Sequence, residues 1–268
     1  MRIAVGIEYD GSAYSGWQHQ GHAPSVQQAT ELALARVADE PVRIHAAGRT
    51  DAGVHARCLV AHFDTVAVRS TRAWQLGANR HLPPDVALRW VQPVPDHFHA
   101  RYTATARTYR YCIVNRPARS ALAAARATFE FRPLDLERMR AAAPALVGEH
   151  DFSAFRSAAC QARSPVRRMQ AITLERYGEF IVAELTANAF LHHMVRNIMG
   201  LLIEVGHGRL APEAAGSLLA GRERRLAPAT APADGLYLWR VHYPSVFELP
   251  DDSAMIRGPA GCPADLMS

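Results

Sequence analysis

The chain contains no lysine: all 30 of its basic side chains are arginine. Arginine's planar fork donates two parallel hydrogen bonds and so suits phosphate. With a formal net charge of +5, the balance points toward a polyanion such as nucleic acid. The missing lysine is equally consistent with the base composition of the gene. Cysteine is scarce. Cys58, Cys112, Cys160 and Cys262 are scattered, with no CxxC pair. That pattern excludes a zinc framework and a disulfide scaffold, and it fits reduced thiols in the cytoplasm. No run of 18 apolar residues occurs, so no membrane span is expected. The opening MRIAVGIEYDG is too short and too polar for a signal peptide. No glycine-rich cofactor fingerprint appears. Charged residues make up 21% and hydrophobic ones 49% of 268 residues. This excludes a wholly disordered chain and allows one large or two modest domains.

Periodicity supplies the elements. Ile3, Val5, Ile7 and Tyr9 alternate over Arg2 to Asp10 as a strand does. An aromatic and amide-rich loop follows, DGSAYSGWQHQGHAPS, with Tyr14, Trp17, Gln18, His19 and Gln20. It reads either as a surface lid or as a platform that stacks and hydrogen-bonds unpaired bases. Ser25 caps a helix to about Asp39 with the stripe Val26, Ala29, Leu32, Ala33 and Val37. A second helix spans about Ser70 to Arg80 and is ended by Pro83-Pro84. Val86 to Pro93 is a strand. The later part of Phe98 to Asn115 is another, interleaving Arg101, Arg107 and Arg110 with Tyr102, Tyr109 and Tyr111. Such interleaving suits an RNA-lining surface and equally a half-buried strand with solvated arginines. Pro133 to Gly148 reads as one helix with the stripe Leu136, Met139, Ala143 and Leu146. The basic stretch from His150 to Met169 reads as a loop, its arginines Arg156, Arg163, Arg167 and Arg168 forming a phosphate clamp or a solvated cluster. Ala171 to Tyr177 and Glu179 to Ala187 form a hairpin at Gly178. Phe190 to Val205 is a helix on which His192 and His193 diverge by about 100°, which argues against a metal site. Ala211 to Ala220 is a helix and Gly235 to Tyr243 a strand. The tail from Pro244 is expected to pack loosely.

The stretch His45 to Cys58, HAAGRTDAGVHARC, carries the candidate chemistry. Apolar runs lead in (Val42 to Ala47) and out (Cys58 to Phe63), so it reads as strand, tight loop, strand. Gly48 and Gly53 let the backbone approach a ligand closely, and the small neighbours leave Asp51 open to a large substrate. The same pattern also describes a turn whose aspartate bonds its own backbone.

Five strings decide between these readings: GRTDAGVH, YDGxxYxGWQ, RxYxY, HHMVRN and GLYL, together spanning about residues 2 to 243. The chain resembles the tRNA pseudouridine synthase A family. That resemblance implies an α+β fold of two related halves with ferredoxin-like elements. Together they would form a mixed, mainly antiparallel sheet flanked by helices, with a central RNA cleft. The halves are expected at 1–105 and 106–245, followed by a tail, 246–268. It further implies isomerisation of uridine to pseudouridine at positions 38, 39 and 40 of the tRNA anticodon arm, in a cytoplasmic homodimer, with no cofactor and no metal. By match, Asp51 is the essential carboxylate, Tyr109 lies in the active site and Arg196 sits against Asp51. Arg49 would displace the paired base or contact phosphate, and Arg107 and Arg110 would line the RNA. Whether Asp51 attacks C1′ or removes the C2′ proton stays open. So do three rival readings: another RNA target, a non-catalytic RNA-binding module, and a metal-dependent hydrolase on His192 and His193.

Overall fold

The structure, a computed structural model, describes residues 1–250. Its contacts divide them into two units, one of Met1–Thr105 with 237–250 and one of Ala106–Leu236. The first stretch lays down β1 (Arg2–Tyr9), α1 (Val26–Ala38), β2 (His45–Ala46), β3 (His55–Asp64), α2 (Thr71–His81) and β4 (Val86–Val94). The second lays down β5 (Ala106–Asn115), β6 (Thr128–Glu130), α3 (Leu136–Ala142), β7 (Gly148–Asp151), β8 (Val166–Tyr177), β9 (Phe180–Ala187), α4 (Met194–Gly206) and α5 (Ala214–Gly221). The last strand is β10 (Leu236–His242). The expected boundary put all of 106–245 in the second half, but from Tyr237 onward the chain returns to the first unit. The reason is strand pairing: β10 runs parallel to β3, with Tyr237 opposite His55 and Leu238 opposite Ala56.

In the first unit the strand order is β4-β1-β3-β10, with β2 against β3. β1 is antiparallel to both neighbours, and Ile3, Ala4, Val5 and Ile7 are all buried. Strands buried on both faces read as continuous apolar runs rather than a clean alternation. Ser70 caps α2 by accepting from the Ala73 N–H at 3.1 Å, and Trp74 of that helix meets Phe63 edge-on at 5.3 Å. α1 buries Val26, Thr30, Ala33 and Leu34, whereas Leu32, assigned to its stripe, is 61% exposed. Thr30 enters the buried face because its hydroxyl donates to the Val26 carbonyl at 2.8 Å.

The second unit has the order β5-β9-β8-β7, antiparallel throughout, with the short β6 added parallel to β5. Both units are thus α+β, with mixed, mainly antiparallel sheets. Gly178, in the left-handed region at φ 56°, turns the β8–β9 hairpin. In this unit α4 buries Met194, Val195, Ile198, Met199, Leu201, Leu202 and Val205. Each contributes roughly 1.5–3 kcal/mol of apolar transfer before entropy is counted.

Several expected spans change. The helix expected over 133–148 is three pieces: α3 with Asp135 as its cap, a 3-10 turn Ala143–Leu146, and β7. Pro144 has no N–H to continue the ladder, so the helix tightens and stops there. The basic stretch after it is less loop-like than expected. It holds a 3-10 turn Ser153–Phe155 with Phe155 buried, and β8 begins at Val166. Its clamp is partly self-directed: Arg156 donates to the carbonyls of Cys160 and Ala162 at 2.7 and 2.8 Å, and Arg167 to those of Ser164 and Val166. The expected loose tail begins packed, with Phe247 edge-on to Phe98 at 5.0 Å and 6% exposed. Residues 251–268 of the tail, Cys262 included, lie outside the described residues. Among the described residues, Cys58, Cys112 and Cys160 are in no disulfide. No helix among the described residues is long and apolar enough to cross a membrane.

Candidate active site

Asp51 stands half-buried between β2 and β3, flanked by exposed Arg49 and Ala52. Its loop is short and tightly held. The Val54 N–H donates to the Asp51 carbonyl at 3.2 Å, closing a turn, and Gly53 adopts φ 76°. The aromatic loop that follows β1 supplies the rest of the frame. The Trp17 N–H donates to the Thr50 carbonyl at 3.1 Å and the Gly53 N–H to the Tyr14 carbonyl at 3.3 Å. The Gly11 N–H donates to His55 Nδ1 at 3.1 Å. Tyr9 Oη and Thr50 Oγ1 share a buried 2.7 Å hydrogen bond.

The two sequence readings of that aromatic loop therefore divide by residue. Trp17, a candidate for stacking on bases, is 3% exposed and faces Tyr9 with centroids 6.1 Å apart. Its indole is structural. Tyr14 donates to Asp85 at 2.6 Å, and burial with that carboxylate pushes its phenol well above the ordinary value. Gln18 and His19 stay exposed. Tyr9, Thr50 and His55 stand inside the motif strings, but the sequence reading gave none of them a role at the site. His55 is 2% exposed and stacks on Tyr237 at 4.6 Å. A histidine between Gly53 of the loop and the apolar run that begins at Cys58 was the available signal.

In the second unit, Tyr109 lies on β5 opposite Leu185, half-buried, with the Phe190 ring edge-on at 4.9 Å. Side chains alternate faces along a strand. Arg107 shares the face of Tyr109, and Arg110 takes the other. Arg107 donates to the Asn188 carbonyl at 3.0 Å. Arg110 pairs across the ladder with Glu184 at 2.7 Å. Interleaved in sequence, the two arginines part on the strand, and only Arg107 shares a surface with Tyr109. Tyr111 is wholly buried and bonds Thr128 and the Pro232 carbonyl.

Arg196 is the third residue of α4, half-buried. Its Nε donates to the Ala231 carbonyl at 2.8 Å, and its own carbonyl receives the Ala231 N–H at 3.1 Å. The next residue, Asn197, is 1% exposed. It donates to the Phe155 carbonyl at 2.7 Å and accepts from Thr230 and Arg224. It fixes the first turn of the helix, a role the sequence reading missed. α4 itself starts at Met194, not Phe190, because His193 is in the left-handed region at φ 63°. His192 and His193 thus precede the helix, and their rings lie 4.1 Å apart instead of diverging. Helical divergence therefore does not separate the two rings.

Comparison with known proteins places the chain in a family. The sequence pattern of the family described as tRNA pseudouridine synthase matches residues 6–103 and 142–244. The chain is 55% identical over 260 residues to tRNA pseudouridine synthase A of Methylococcus capsulatus, covering 97% of this chain and 96% of that protein. It is 53% identical over 250 residues to the protein of the same name from Cronobacter sakazakii, covering 93% of each. With the motif loop built as above and similarity over nearly its whole length, the chain belongs to the tRNA pseudouridine synthase family, among the relatives of tRNA pseudouridine synthase A.

Proposed function

We propose that the protein isomerises uridine to pseudouridine in the anticodon arm of tRNA, at positions 38, 39 and 40, with Asp51 as the essential carboxylate. The observation that carries this reading is the Asp51 loop: a half-exposed acid on a backbone fixed from both sides by hydrogen bonds to Trp17 and Tyr14. Rigid presentation of one carboxylate is what chemistry at an anomeric carbon requires.

The reaction breaks the N1–C1′ bond, joins C1′ to C5, releases the C5 proton and returns a proton to N1. Nothing is oxidised, so no redox cofactor is called for. The target base must leave its stack, at a cost of a few kcal/mol that stacking and phosphate contacts supply. Tyr109 has the aromatic face for the extruded base and a hydroxyl for the C5 proton. Arg49 and Arg107 are the candidates for phosphate. Arg196 is assigned, by match to the family, to keep Asp51 ionised, since a neighbouring guanidinium favours the charged carboxylate. Asp51 then acts at C1′ as nucleophile or at C2′ as base. A cytoplasmic homodimer with one tRNA touching both subunits completes the proposal.

Asp51→Asn keeps shape and hydrogen bonding but removes the charge. It is expected to release no tritium from tRNA labelled at uridine C5 while still binding tRNA. Appreciable turnover would remove Asp51 from its role. Mapping pseudouridine in RNA from cells lacking the protein fixes the target, and loss only at sites outside the anticodon arm would overturn the assignment to positions 38, 39 and 40.

A further inference from the structure

We propose that Tyr9 is a positioning residue for Asp51, acting through the Thr50 side chain; the proposal rests on the reading of Asp51 as the reacting carboxylate. Tyr9 ends β1, paired on one side with Ala56 of β3 and on the other with Val86 of β4. The β1–β3 register slips between Ile7 and Tyr9. The phenol hangs from a bulge in the middle of a three-strand frame, where bulges re-aim side chains. Its hydroxyl meets Thr50 Oγ1 at 2.7 Å, with Tyr9 3% and Thr50 7% exposed. Thr50 precedes Asp51 in the chain, and its carbonyl is separately taken by the Trp17 N–H.

Thr50 is therefore held at both polar ends, one by the sheet and one by the aromatic loop. Fixing its rotamer and its carbonyl fixes the direction in which the next Cα–Cβ bond leaves the backbone. A loop without that anchor would spread the carboxylate over several orientations. Productive geometry must be held to within about half an ångström, and misplacement by an ångström costs on the order of a hundredfold in rate.

The test compares Tyr9→Phe, Thr50→Ser, Thr50→Val and the double variant Tyr9→Phe/Thr50→Val. Read-outs are single-turnover tritium release at saturating tRNA, tRNA affinity and thermal stability. Tyr9→Phe and Thr50→Val are each expected to slow the saturated rate about ten- to a hundredfold, with affinity little changed. Thr50→Ser, which keeps the hydroxyl, restores the rate. The double variant leaves no buried hydroxyl unpaired, so its stability returns toward that of the parent while its rate stays low and no worse than the slower single. A Tyr9→Phe rate equal to the parent's overturns the proposal. So does a double variant whose rate recovers together with its stability, the mark of a purely structural bond. Asp51→Asn is run alongside. If it is inert while Tyr9→Phe is unimpaired, the positioning role alone falls. If it turns over, both readings fall.

Discussion

Gly16 stands so close to Thr50 that a Cβ added to it would lie 2.6 Å from the Thr50 carbonyl oxygen and 3.1 Å from the carbonyl carbon of Asp51. Its φ of 96° is one that side chains rarely adopt. The GW pair of the aromatic loop is thereby explained: glycine permits the approach, and the Trp17 N–H that follows makes the bond.

Gly16→Ala must push the Asp51 loop away as well as strain its own backbone. We expect turnover to fall by about tenfold or more and stability by about 1–3 kcal/mol. Tritium release and urea unfolding measure the two. Gly21→Ala in the same loop, where nothing lies within 4 Å, should be close to silent. Equal effects at both positions would show that the loop, not the contact with Thr50, is what matters.

His62 gives the fold a pH dependence of its own. It is 2% exposed, its Nδ1 accepts the Ala100 N–H at 3.2 Å, and its ring lies 4.6 Å from that of His99 and 5.2 Å from that of His45. Burial first, then the neighbouring His99, pulls its pKa from 6.5 down to about 4. The folded state resists a proton that the unfolded chain accepts. This contribution is therefore present above pH 6.5 and is lost as pH falls toward 4, by about 3 kcal/mol in full. Urea midpoints at pH 7.5 and 4.5 should separate widely for the parent and less for His62→Gln. An unchanged separation would place the proton uptake at another group.

How much of this was legible depends on where each signal lives. α2 carries its own boundaries, a Ser70 cap and Pro83 beyond its end, so local chemistry found it within a residue or two. The hairpin at Gly178 was equally local. The break at Pro144 was also written in the chain and was overridden by an apolar stripe. The start of α4 was not written there, because His193 takes a left-handed conformation that its own residue type does not announce. Nor was the fate of Trp17, whose backbone N–H is taken by Thr50, 33 positions away in the sequence, and whose ring faces Tyr9. The motif strings pointed to Asp51, Tyr109 and Arg196. They also contain Tyr9 and Asn197, but a string assigns neither of them a partner, and their hydrogen bonds to Thr50 and to Phe155, Thr230 and Arg224 arise only from the fold.

The two arginines around Tyr109 offer a final test, because the strand separates what the sequence placed together. Arg107 shares the face of Tyr109, while Arg110 is on the other face and engaged with Glu184 at 2.7 Å. If the extruded base stacks on Tyr109, phosphate contacts come from the face of Arg107. Arg107→Gln should weaken tRNA binding and lower the slope of log affinity against log salt by about one. Arg110→Gln should leave that slope alone and change stability by no more than about 1 kcal/mol, as for a cross-strand pair near the surface. Binding measured at several salt concentrations decides it. A slope change for Arg110→Gln alone would mean that RNA meets the opposite face of β5, and Tyr109 would lose its stacking role.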